Sequence, residues 1–361
     1  MTKKLRYYFL LMLTMLCCAS FAQQSTGTVN IGVMLPLHNV DGDGKRMVEY
    51  YRGMLMAVDK LKQEGMNINV HAWNVPIDAD VRTTLLKDGA PECNYIFGPL
   101  YSKQVKAMGD FCKAYGIKMI IPFSITGNDA DKNSNIYQVY QSPDDLNATA
   151  IQQIAEYYAN YHVVVIDCND TTSKKGTFTF ALRQVLKDKK REASVTNLRS
   201  SDEMFAKAFS LTQPNLVILN TGRSPELTQA MNKLNVLLEA NKNVQATLFG
   251  YTDWLMYAKY NKERFAKYDA LVPTYFYYNE NSTSTKEFEA KYKQNFNQDM
   301  MYYLPHLALT GYDHVMQIVG NRSTWMQSPM KFVKQGNGGY RNKAFMLIHY
   351  KKSGGVEAIT Y

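Results

Sequence analysis

Ser102 is the residue whose setting in this sequence points most directly to chemistry. A short β-type run, Tyr95-Ile96-Phe97, breaks at Gly98-Pro99, and an amphipathic helical pattern follows from Lys103 to Tyr115. That order leaves a hydroxyl and the first free N–H groups of a helix at the carboxyl end of a strand. Free N–H groups and the positive end of the helix dipole favour an anion such as a carboxylate. In open α/β sheets, ligands sit at that end of the strands. The plainer reading of the same serine is an ordinary N-cap. Elsewhere, Asp41-Gly42-Asp43-Gly44-Lys45 has the opening of a calcium loop, but no later acidic ligand follows. Lys45 also stands where an oxygen is needed, so the stretch reads as a turn. The six histidines are dispersed, and His306 and His314 do not share a helical metal spacing. No serine-hydrolase elbow, zinc-protease helix or phosphate loop is present, and no nucleophile stands beside a base. No enzyme, metal or cofactor is expected.

The elements that must position Ser102 alternate strand and helix. Val29 to Leu35 is an apolar β run, followed by a Gly/Asp-rich loop over Asn39 to Gly44 and a helix over Met47 to Glu64 with Gly53 inside it. Strands follow at Ile68 to Asn74, Asn94 to Phe97 and Lys118 to Pro122. This is the pattern of a parallel sheet with helices on both faces. After a turn-rich stretch, Thr126 to Ser134, the alternation restarts with a helix at Asp144 to Asn160 and a strand at His162 to Asp167. Helices at Thr177 to Lys189 and Pro225 to Ala240 then alternate with strands at Ala193 to Leu198, Asn215 to Asn220 and Gln245 to Phe249. Two extended crossings, Ile136 to Gln141 and Leu271 to Tyr278, carry the chain between two lobes and back. The expected fold class is therefore α/β, two Rossmann-like lobes with parallel sheets around a central cleft. Clefts between domains are preferred ligand sites. A helix over Leu304 to Gly320 and a terminal hairpin, Phe345 to Tyr350 with Val356 to Thr360, complete the reading.

At the amino end, Lys3, Lys4 and Arg6 precede a short apolar core, Phe9 to Cys18, and the small-residue site Ser20-Phe21-Ala22. This reads as a cleaved signal peptide over residues 1–22 and places the mature protein in a periplasm. The apolar run is too short to span a membrane. Of the formal net charge of +9, three charges belong to that leader, leaving +6. The basic residues are scattered, and the dense run Lys187 to Arg191 reads as a solvated helix end, so nucleic-acid binding is not expected. Cys93 and Cys112 lie on a strand approach and on the helix returning past it. They are open to two readings, a bridge in an oxidising compartment or two buried thiols. The 26 tyrosines read mostly as packing residues with surface hydroxyls, while Tyr275 or Tyr277 is placed to line the cleft.

Several segments, in order and spacing, resemble the leucine/isoleucine/valine-binding family of periplasmic solute-binding proteins. They are Ile31-Gly32-Val33-Met34-Leu35-Pro36-Leu37, Gly53 to Asp59, Gly98-Pro99-Leu100-Tyr101-Ser102, Ile120-Ile121-Pro122-Phe123-Ser124 and Gly311-Tyr312-Asp313. The resemblance implies two lobes joined by three crossings, with residues 23–139 plus 273–322 in the first and 140–272 plus 323–361 in the second. It implies capture of a small amino-acid-like or other carboxylate-bearing solute by lobe closure, and a membrane permease of an ABC-type transporter, or a sensor, as partner. Carried over by position, Ser102 and Ser124 hold the ligand carboxylate, with Tyr101 and Thr126 beside them and Arg46 near a contact position. On the second lobe Arg223 stands where an aromatic is common, and Asp253 stands one position beyond the acidic residue that pairs with a ligand ammonium. Asp253 also reads as the N-cap of a helix through Trp254 to Tyr260. Lys174 and Lys175 replace a tyrosine before Gly176, and these cations are open to two readings, an anionic ligand or second carboxylate, or a solvated rim. The alternative use of the fold is a scaffold or sensor contacting cell-envelope machinery.

Overall fold

The computed structural model describes residues 27–361, so the expected signal peptide lies outside the described residues. The first five β runs become strands Val29–Leu35 (β1), Ile68–Asn74 (β2), Tyr95–Phe97 (β3), Lys118–Ile121 (β4) and Ile136–Gln138 (β5). All five are parallel, in the order β2-β1-β3-β4-β5. The second unit repeats that order with His162–Asp167 (β6), Ala193–Asn197 (β7), Asn215–Leu219 (β8), Ala246–Phe249 (β9) and Leu271–Thr274 (β10). Each sheet reaches seven strands by taking two from the end of the chain. Phe332–Lys334 (β11) and Tyr340–Asn342 (β12) extend the first sheet, and Met346–Tyr350 (β13) and Val356–Thr360 (β14) extend the second. The doubled α/β architecture read from the sequence is the one observed.

Parallel strands need helical crossovers. These are Gly42–Gln63 (α1), Val81–Leu85 (α2), Ser102–Tyr115 (α3), Pro143–Tyr157 (α4), Lys175–Asp188 (α5), Asp202–Ala206 (α6), Ser224–Ala240 (α7) and Ala258–Lys267 (α8). Thr283–Phe296 (α9) and Leu307–His314 (α10) follow, and α10 continues as a π turn, Val315–Val319. Helix α1 begins at Gly42, earlier than expected, because the Asp41 carboxylate accepts a bond from Gly44 N–H at 2.7 Å and caps it. The supposed turn is thus the first helical turn. Helix α10 begins at Leu307 and not at Leu304, since a residue before proline is pushed out of helical conformation. Helices α1 and α10 approach backbone to backbone. A Cβ on Gly53 would fall 1.8 Å from the Ala308 carbonyl oxygen, and one on Gly311 would fall 2.1 Å from that of Tyr50.

Strand β1 packs on both faces. Ile31, Val33 and Leu35 belong to one apolar cluster and Met34 to another, as a buried parallel sheet requires. A separate core fills the second lobe from Val163 through Leu248 to Ile348. The chain passes between the sheets three times, after β5, after β10 and between β12 and β13. The expected division gave residues 323–361 to the second lobe, but β12 pairs with β5 and β11 with β12, so the third passage lies beyond Asn342. Those strands are too short and polar to announce themselves in the sequence. Cys93 and Cys112 are free buried thiols, and burial pushes them up to about 11 and about 12. Among the described residues, no helix is long and apolar enough to cross a membrane, and no cluster of potential metal ligands occurs.

Candidate ligand-binding cleft

The carboxyl ends of both sheets face a cleft that holds two adjoining cavities, of about 420 and 310 Å³. Tyr140 and Tyr275, from the first two passages, and Leu304 line both. Tyr275 thus takes the cleft-lining place expected for a tyrosine on that crossing.

On the first lobe, the start of α1 presents Asp43, Arg46 and Met47, and the loop after β4 presents Phe123 and Ser124. Arg46 pairs with Asp43, and the Tyr101 hydroxyl donates to the same carboxylate at 3.1 Å. Burial, reinforced by the Asp43 carboxylate, pushes the Tyr101 phenol up to about 12. Ser102 is neither the N-cap nor an unengaged hydroxyl. Tyr101 occupies the cap position without a side-chain bond, Ser102 is the first helical residue, and its Oγ accepts from Thr126 N–H at 2.8 Å. The pair ties the loop after β4 to the start of α3. The close turn before it needs Gly98, whose φ is +136° and whose Cβ would sit 2.2 Å from the Met34 carbonyl oxygen. Beneath this cavity lies His314, which meets the Tyr50 hydroxyl through Nδ1 at 2.8 Å. Burial pushes its pKa down to about 3, so it is neutral.

The second cavity is walled by Gln141, Ser142, Asn147, Lys175 and the segment after β9. Lys175 Nζ lies 2.5 Å from Asp253 Oδ2 and 4.7 Å from the centre of the Tyr251 ring. Asp253 sits inside a short 3₁₀ turn, Thr252–Tyr257, whose cap position is Tyr251, so it is not the cap. Gln141 is 4% exposed, and its Nε2 donates to the Ala344 carbonyl at 2.6 Å. Its Oε1 is buried without a partner.

Of the residues read from the sequence, Arg46 and Ser124 reach the first cavity and Asp253 the second. Tyr101, Ser102 and Thr126 form the bonds just described and line neither cavity. Arg223 lies at the cap position of α7, 3.5 Å from Asp170, 3.6 Å from Glu226 and bonded to Thr172, and it lines neither cavity. Sequence reasoning missed Met47, Gln141 and the segment Tyr303-Leu304 that enters the cleft. The clustered Tyr302-Tyr303 was the one available signal, read as packing. Several tyrosine hydroxyls expected at the surface are buried and bonded, including Tyr50 to His314, Tyr251 to the Leu219 carbonyl at 2.6 Å and Tyr292 to Glu49.

No protein-family model matches the chain, and no curated protein sequence does. Solved structures do. A putative branched-chain amino acid ABC transporter protein from Rhodospirillum rubrum superposes with a TM-score of 0.59 at 13% identity, covering 92% of this chain and 100% of that one. Full-length LpoA from Haemophilus influenzae gives 0.54 at 13% identity, over 94% of this chain and 60% of that one. LivJ from Streptococcus pneumoniae, solved with isoleucine, is 15% identical over 93% of this chain and 100% of its own, with a TM-score of 0.42. The fold that the sequence resemblance implied is therefore present, and the chain has the two-lobed α/β fold of periplasmic binding proteins.

Proposed function

We propose that this protein is a non-enzymatic binder that captures a small carboxylate-bearing, amino-acid-like solute between its lobes. Its closed form is then offered to a membrane transporter from the periplasm. The observation that supports this most is the placement of two cavities side by side at the carboxyl ends of both sheets, where open α/β folds take ligands. The three passages form a hinge about which such lobes close. Arg46, Ser124 and Asp253 are the expected site residues that face the cleft; Tyr101, Ser102 and Thr126 support the first lobe's wall, and Arg223 stands outside the site.

Small-angle scattering and native mass spectrometry on the purified full-length protein test the reading together. Compaction on addition of a solute retained through purification is the expected result. A constant radius of gyration with every amino acid and carboxylate offered would overturn it, and a stable protein partner with an empty cleft would favour the scaffold use.

A further inference from the structure

The two cavities differ in character. In the first, Met47, Leu100, Phe123, Leu304, Leu307 and Met330 supply an apolar wall. Its charged lining residues, Asp43 and Arg46, already neutralise one another, and its histidine is buried and neutral. The second offers one cation and one anion, Lys175 and Asp253. Lys175 and Asp253 pair with each other at 2.5 Å, while both keep some exposure to the cleft. Both Lys175 and Asp253 are thus within reach of a bound molecule, which can take the place of either partner.

We infer that the cleft takes an amphiphilic zwitterion, an α-amino acid with a long apolar side chain, seated with its head on the second lobe and its side chain on the first. This deepens the binding-protein reading and rests on it. A zwitterionic head replaces the internal ion pair partner for partner: its carboxylate takes Lys175, and its ammonium takes Asp253. A simple anion would leave Asp253 without its partner, and a simple cation would strand Lys175, each at a desolvation cost. Tyr140, Tyr275 and Leu304 line both cavities, which therefore lie side by side, and the inferred ligand reaches from one into the other. A leucine is small against their combined space of about 420 and 310 Å³. The orientation is the reverse of a head held by Ser102, whose Oγ is already bonded to its own chain.

Calorimetric titration of the full-length protein with α-aminodecanoic acid, decanoic acid, decylamine and leucine, all below micelle-forming concentrations, tests the assignment. The α-aminodecanoate should bind at least tenfold more tightly than the other three. Lys175→Met, Asp253→Asn and Met47→Asp should each weaken it tenfold or more, and Lys175→Arg should retain it. Melting temperatures check that every variant is folded. Equal affinity for decanoate, or an unchanged affinity in Lys175→Met, would overturn the head's placement. Failure of all four probes would overturn the ligand class. In that event a co-purified solute seen by native mass spectrometry would keep the binding reading alive, and its absence would end both.

Discussion

At the scale of single residues, Ser102 shows how a sequence signal lands close to a site without being the contact itself. Its position at the carboxyl end of β3 was legible, because Gly98-Pro99 ends a strand wherever it occurs in this setting. The partner of its hydroxyl was not legible, since Thr126 N–H arrives from a loop whose path no local pattern dictates. Ser102→Ala should therefore lower stability by about 1 kcal/mol, read from the urea midpoint, as one intramolecular bond is lost. The neighbours Asp313 and His314 give a second prediction. Asp313 accepts from the N–H groups of Met326, Gln327 and Ser328, yet burial still pushes it up to about 7. A raised carboxyl contributes stability that is complete below its unfolded pKa near 4 and is lost as pH rises towards 7. The lowered His314 does the opposite: its contribution is complete above about 6.5 and is lost as pH falls towards 3. Between about pH 4 and 6.5 the two slopes oppose, each about 1.4 kcal/mol per pH unit. Wild-type stability should therefore show little net slope from this pair. Asp313→Asn should gain stability with rising pH across the window relative to wild type, and His314→Gln should lose it, both measured by chemical denaturation at stepped pH.

At the scale of elements, the glycine contact between α1 and α10 sets how the first lobe is built. Glycine in a helix interior costs about 1 kcal/mol in propensity. The sequence therefore showed Gly53 and Gly311 as oddities, and the resemblance marked both segments, but neither told which helix the other meets. The structure answers that: each gives way to the other helix's backbone. Because backbone is the obstacle, no rotamer change relieves an added methyl. Gly311→Ala should cost about 3 kcal/mol or more, seen as a lowered melting temperature with the far-ultraviolet spectrum preserved. Strong periodic runs such as Val163 to Ile166 were readable directly, since burial on both faces leaves an unbroken apolar stretch. The three-residue strands β11 and β12 were not, because they hold few apolar side chains and owe their place to a distant partner, β12 to β5 and β11 through β12.

At the scale of the whole molecule, the passages between lobes are cross-braced, and the bracing lies in polar side chains that no sequence pattern marks. Gln141 Nε2 bonds Ala344 O, and Asn342 bonds Val139 O at 3.2 Å while accepting from Lys331 and Ala344 N–H at 2.9 and 3.0 Å. Asn342→Ala should lower stability by about 2–3 kcal/mol, measured by denaturant midpoint, because it leaves several buried backbone groups unpaired. Two lobes were legible as two rounds of α/β alternation. The allotment of the last strands was not, since it depends on pairing across some two hundred residues, as between Gln138 and Arg341.

That late pairing also fixes a timetable. The outer strands of the first sheet come from residues 332–342 and those of the second from residues 346–360. A chain growing from its amino end reaches them last, so neither half is finished as its own stretch emerges from the ribosome. The usual amino-first, domain-by-domain order of assembly leaves each half short of two strands until residues 332–360 have been made. Both halves stand with an open sheet edge until the final segment arrives and completes them almost together.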